Sequence, residues 1–122
     1  MKKQYMPQEI EVWYIIPSIR RELAKAMAVR GLKQKRVAEL LGITGAAVSQ
    51  YLKQKRAKEV DFKPETMAEI RNSADRIINN SDMLICEMQR LLKVVKKSKT
   101  LCKVHYRFGR MPQKCEACLE AE

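Results

Sequence analysis

The most reactive side chains of this sequence gather in its last third, where LCKVHYRFGRMPQKCEACL carries Cys102-x2-His105 and Cys115-x2-Cys118 with nine residues between the pairs. A Cys-x2-Cys pair can hold both sulfurs on one ion at about 2.3 Å through a tight turn, and a second short knuckle completes a tetrahedron. Cys86 lies upstream, off the apolar stripe of Leu84, Met88 and Leu91, so it is open to a ligand role. Together Cys86, Cys102, Cys115 and Cys118 form an all-thiolate set that suits an iron-sulfur cluster, with zinc as the alternative. In the alternative set His105 replaces Cys86 as fourth ligand; the plain reading of Cys86 is a small hydrophobe. Lys103, Arg107, Arg110 and Lys114 surround these thiols and favour their ionised, ligating form.

Helices must position these groups. Met67, Ile70, Ala74, Ile77, Leu84, Met88, Leu91 and Val95 recur at three- and four-residue spacing, with Pro64 suited to a first turn. The polar run Asn79-Asn80-Ser81-Asp82 predicts two helices rather than one. Their apolar stripe is either a dimer seam, which is preferred, or a face that docks on the N-terminal half. At the front, Pro7 and QEIEVWYII predict a short opening helix, and Pro17 starts a second that runs to Gly31 with apolar Ile19, Leu23, Ala26, Met27 and Val29. Trp13 and Tyr14 are expected to close a small core rather than to stack on bases.

Between these regions, QKRVAELLGITGAAVSQYLK (34–53) reads as two short amphipathic helices hinged at Gly42. Val37, Leu41, Ile43, Val48 and Tyr51 fall where the helices face each other and a third helix, and Ala38 is small enough for close approach. Gly42 suits the positive φ of a helix C-terminus, and Thr44 is the natural N-cap of the next helix. The outer face of that helix, Gly45, Ala46, Ser49, Gln50 and Lys53, is small and hydrogen-bonding, and the basic residues Lys55, Arg56 and Lys58 follow at once. An ordinary helical hairpin explains the packing residues but not this outer face. Duplex DNA explains both: Thr44, Gly45, Ala46, Ser49, Gln50 and Lys53 would meet the major groove, and Arg36, Lys55 and Arg56 the phosphates.

The balance of charge agrees. Among 122 residues, 25 Lys and Arg face 14 Asp and Glu, a formal charge of +11 that attracts polyanions before any specific contact forms. A second basic run, Lys93, Lys96, Lys97, Lys99 and Lys103, either touches flanking phosphates or is a solvated face. The only strongly apolar run near the start, Val12 to Ile16, is too short for a secretory or spanning segment, so a cytoplasmic protein is expected. No Ser-His-Asp set, paired carboxylates or phosphate-cradling glycine loop is visible, so an enzyme is not expected.

The stretches PQEIEVWYIIPSIRREL, VAELLGITGAAVSQYLKQKR, and LC followed by CEAC resemble the small archaeal lambda-repressor-like (Xre-type) helix-turn-helix regulators with a C-terminal cysteine motif. The chain departs from them at Lys33 and Gln34, where relatives tend to carry a Ser N-cap, and at Gln89, where a further cysteine is expected. The resemblance implies transcriptional regulation. The expected fold is all-α: a helix-turn-helix DNA-binding domain over 1–60, then a helical dimerisation region with a cysteine-rich metal or cluster site over 61–122. The expected function is a sequence-specific regulator, a homodimer on double-stranded DNA whose affinity is coupled to the cluster or zinc. The alternative is a metal-knuckle adaptor for RNA or a protein partner.

Overall fold

Every regular element in the computed structural model, which describes residues 4–53 and 60–108, is helical. The chain opens with α1 (Pro7–Ile10), passes through one π-helical turn (Glu11–Ile15) and continues as α2 (Ile16–Val29). The junction residues all keep right-handed helical φ and ψ, so residues 7–29 form a single helical path. Pro17 is the cause of the wide turn. A proline inside a helix lacks its N–H and its ring collides with the carbonyl four residues back. Here the Ile16 N–H reaches the Glu11 carbonyl five residues back, the relaxed register that lets a helix run through. Pro17 therefore bends one helix where the sequence suggests the start of another.

α2 is the central element. It buries Ser18, Ile19, Leu23, Ala24, Ala26 and Met27 and packs against α3 (Gln34–Leu41), α4 (Gly45–Leu52), α5 (Pro64–Asn79) and α6 (Leu84–Lys97). Arg21 and Glu22 are also buried, and their pairing shows why this is tolerated. Arg21 Nε donates to Glu22 Oε2 at 3.1 Å and its Nη2 to the Val60 carbonyl at 2.9 Å, which fixes the chain where it returns after α4. α2 is closed off just beyond its C-cap by Gly31, whose φ of +87° is one glycine adopts without strain; the Leu32 N–H bonds back to Met27 O at 3.2 Å. Val29 is exposed beyond the last buried turn.

α5 and α6 are separate helices, as the Asn79–Asp82 break predicts. Asn80 leaves helical geometry and its side chain accepts from the Asp82 N–H at 3.1 Å, opening a short 3-10 turn (Ser81–Met83) into α6. Their stripe is filled from within the chain. Ile70, Ala74, Ile77, Leu91 and Val95 are almost fully buried in one cluster with Ile15, Ile19, Leu23, Val37 and Val48. The expected dimer seam is thus the face that docks on the N-terminal helices, because α2 offers a matching apolar side.

A polar network clamps α5 to α6. The Glu87 carboxylate Oε1 accepts from Ser73 Oγ (2.7 Å), Arg76 Nη1 (3.1 Å) and Arg90 Nε (3.2 Å), while Arg90 also pairs with Glu69. Burial alone would push the Glu87 carboxyl up, but these three donors outweigh it and hold it below the ordinary value. Arg30, at the C-cap of α2, ties that helix to α5, paired with Asp75 and donating to the Arg71 carbonyl at 3.2 Å. The last helix, α7 (Thr100–Phe108), packs on α6 and α1 through Leu101, Val104 and His105.

Candidate nucleic-acid interface

The segment from Lys33 to Lys53 forms two eight-residue helices joined by Gly42, Ile43 and Thr44. Gly42 takes φ +65° and ψ 34°, and the Ile43 N–H bonds back to Ala38 O at 3.1 Å, so the chain reverses within three residues. Thr44 holds extended backbone and its Oγ1 accepts from the Ala47 N–H at 3.0 Å, capping α4. Val37, Ala38, Leu41, Val48 and Tyr51 are buried, and Ile43 is half-buried against them, as their spacing implies. Leu40 and Ala47 join this core; both fit the same periodicity and were legible from it. Lys33 occupies the N-cap of α3 with no side-chain hydrogen bond, so the first turn of that helix lacks a side-chain cap.

The outward side of α4 differs from a plain solvated face. Gly45, Ala46 and Lys53 are exposed, Ser49 and Gln50 half-buried, and α4 carries no carboxylate at all. The nearest acid in the pair, Glu39 on α3, is taken by Arg36, whose Nη1 lies 3.3 Å from Glu39 Oε2. Gln50 sits deeper than expected. Its Oε1 is buried and meets no hydrogen-bond donor among the described residues, a state that costs about 1–3 kcal/mol relative to a paired amide. Lys55 and Arg56, expected to hold phosphates, lie outside the described residues.

The metal-type residues separate into two groups. Cys86 is exposed on α6 and Cys102 half-buried on α7, and neither forms a disulfide; Cys115 and Cys118 lie outside the described residues. Cys102 and His105 are one turn apart on a helix, not in the tight-turn knuckle their spacing suggests, because the apolar Leu101 and Val104 draw the segment onto the core as α7. His105 is buried, and its Nε2 stands 2.5 Å from the Tyr5 carbonyl, which fastens the N-terminal segment to α7. That nitrogen serves the fold. Among the described residues no three Cys, His, Asp or Glu side chains converge as a metal group.

Trp13 reverses another expectation. It is 48% exposed and lies edge-on against Tyr5, ring centroids 5.3 Å apart, instead of closing the core; Tyr14 is half-buried against that core. The π turn displaces the register around Pro17, which rotates Trp13 outward. Among the described residues no helix is long and apolar enough to cross a membrane. The chain matches no family model, no curated protein and no solved structure. Its function therefore has to be argued from the geometry.

Proposed function

We propose that this protein is a sequence-specific DNA-binding regulator in which α3 and α4 act as a helix-turn-helix, with α4 laid in the major groove. The observation that carries this reading is the outward face of α4: small at Gly45 and Ala46, hydrogen-bonding at Ser49 and Gln50, cationic at Lys53, and without an acid to repel phosphate. Such a face approaches base edges closely at little desolvation cost. Gln50 fits the same view: its Oε1 meets no donor among the described residues, and turned outward the side chain would hold adenine N6 and N7 through two hydrogen bonds.

In this proposal Arg36, Lys55 and Arg56 contact backbone phosphates, while Ser49, Gln50 and Lys53 read bases. The test starts with a site selected from a random duplex library. Gln50→Ala is expected to weaken that site by about 1–3 kcal/mol and to leave random duplex unchanged, whereas Lys55→Ala weakens both alike and reduces the salt slope by about 1. Equal losses on selected and random duplex for both variants would sink the assignment. If two copies bind together, the selected site is an inverted repeat with half-sites about 34 Å apart. The contact between copies would use a face other than the α5–α6 stripe.

The cysteines enter as the coupled half of the proposal. Cys86, Cys102, Cys115 and Cys118 are proposed to bind an iron-sulfur cluster or zinc and to alter how α6 and α7 pack. Anaerobic purification distinguishes these: a brown protein absorbing near about 400 nm carries a cluster, and a colourless one with bound zinc carries a staple.

A further inference from the structure

We propose that Leu84, the first residue of α6, is a positioning residue for the reader helix: it braces the Gly42 hinge and so fixes the angle at which α4 is presented to DNA. This rests on the DNA-binding reading above and adds to it the contact through which the C-terminal half governs that site. The starting observation is at the hinge itself. Chain neighbours apart, the only described heavy atom within 4 Å of a Cβ built at Gly42 is Leu84 Cδ2, at 4.0 Å. A side chain from far along the sequence thus borders the turn between α3 and α4 at van der Waals range.

The hinge has little support of its own. Gly42 and Thr44 are exposed and Ile43 is half-buried. The reversal is held by the Ile43 N–H on Ala38 O and by the Thr44 cap on Ala47. Such bonds set the backbone of the turn, whereas the angle between two eight-residue helices is decided by what packs against them. α2 packs on both α3 and α4, and Leu84 adds the contact at the hinge.

Leu84 can serve as a brace because it is itself held. It is half-buried against the cluster that contains Val37 and Val48. The 3-10 turn before it is locked, since the Met83 N–H donates to Asn80 O at 3.0 Å and the Asp82 N–H to Asn80 Oδ1 at 3.1 Å. Three residues on, and so a neighbour of Leu84 on the helix surface, Glu87 is buried and tied to α5 by Ser73 Oγ and Arg76 Nη1. The first turn of α6 is therefore fixed at both ends, although Ile85 and Cys86 between them are exposed.

Close-packed contacts transmit displacement. A change in how α6 packs moves Leu84 toward or away from the hinge, and α4 turns with it. In the proposal above, a cluster or zinc alters the packing of α6 and α7; Leu84 is where that change reaches the reader.

The experiment uses the full chain, the selected duplex and a random one, with Leu84→Ala, Leu84→Met and Leu92→Ala. Leu92 is the matched control, a half-buried leucine of the same helix packed on the same cluster, about two turns beyond the hinge contact. Both alanine variants should lower the melting temperature. Only Leu84→Ala should lose discrimination between the duplexes, by about five- to tenfold, the lower range of what one bidentate base contact supplies. Leu84→Met, which nearly conserves the volume, should restore it. In the free protein, the Gly42 and Ile43 amide resonances should move in Leu84→Ala and hold in Leu92→Ala.

Equal loss of discrimination in the two alanine variants, or Gly42 and Ile43 resonances that do not move, overturns the brace while leaving the α4 reading intact. Should Leu84→Ala fail to fold, Leu84→Val takes its place with the same outcomes. A wild type that prefers no duplex removes the DNA reading, and the resonances then decide the brace by themselves: movement confined to Leu84→Ala upholds it, and movement in both alanine variants or in neither overturns it.

Discussion

The α5–α6 pair and the α4 face treat polar groups in opposite ways. Between α5 and α6 a buried carboxylate is met by three donors: Ser73, Arg76 and Arg90 all converge on Glu87. On α4, the Gln50 carbonyl oxygen is buried with no donor among the described residues, and no carboxylate lies on the helix. The first arrangement contributes to holding the chain together. The second withholds stability that a better-matched residue would supply, which is common where a surface is kept for a partner. The two regions therefore predict opposite responses to mutation: truncation costs stability in the network, and repair gains stability but loses binding at α4.

The largest effect is expected at Glu87. Glu87→Ala leaves the buried Ser73 hydroxyl and Arg76 without their acceptor and Arg90 with only Glu69 and Ser73 Oγ, so stability should fall by about 2–4 kcal/mol in urea denaturation. The acid limb should change with it. Glu87 and Glu69 are held below the ordinary value of 4.5, Glu87 against the opposing pull of burial and Glu69 chiefly by its hydrogen bond from Arg90. A depressed carboxylate stabilises the fold above its unfolded value and loses that contribution as pH falls through its folded one. Wild type should thus lose stability as pH falls below the ordinary carboxylate value of 4.5, and Glu87→Ala should lose less. An unchanged acid limb would show that the network does not govern stability.

Next is Gly42, where the comparison turns on backbone rather than side chains. A Cβ there meets only Leu84 Cδ2 at 4.0 Å, so space is not the obstacle. Its φ of +65° is. Gly42→Ala should cost about 1–2 kcal/mol by urea denaturation and reduce DNA affinity further, since it tilts α4 against α3. Stability loss without any added loss of binding would mean that the angle between α3 and α4 is not read by the partner.

How much of this was legible in the sequence follows from how local each signal is. Gly42, Thr44 and the Val37-to-Tyr51 spacing are short-range devices, decided by φ, by one hydroxyl and by periodicity; each stands in the structure where the residues imply. The Asn79–Asp82 break is equally local. The Glu87 network joins residues up to 21 apart through Arg90 and Glu69, and no propensity encodes that. One trace was present all the same. Glu87 occupies a stripe position between Leu84 and Leu91, and a charge in an apolar register signals a buried partner. Pro17 misled because a π turn absorbs its missing N–H, and the displaced register then exposes Trp13. The Cys102-x2-His105 spacing misled for a related reason: the same two-residue gap serves a metal knuckle and one helical turn, and the neighbouring Leu101 and Val104 decide for the helix.

Gln50 makes the comparison sharpest, because here stability and binding should move in opposite directions. Gln50→Leu keeps the volume and removes the unpaired oxygen, so the fold should gain about 1 kcal/mol while discrimination between selected and random duplex collapses. A loss of stability would mean that the amide already has its partner in the free protein, and the contrast with Glu87 would vanish.

The smallest effect is at the N-terminus of α3. Lys33 holds N-cap geometry, φ −71° and ψ 152°, with no side-chain hydrogen bond to the first turn. A serine there has an oxygen to accept from the orphan N–H groups, so Lys33→Ser should raise stability by about 0.5–1 kcal/mol. The same change removes a cation at the positive end of the helix dipole, where a lysine is electrostatically disfavoured. A capless lysine in this position is another place where stability is left unclaimed beside the proposed interface, and its binding phenotype says why. If Lys33→Ser gains stability and also loses affinity and salt slope on random duplex, Lys33 belongs with Arg36 among the phosphate contacts. If affinity is unchanged, the unsatisfied features around α4 narrow to Gln50 alone.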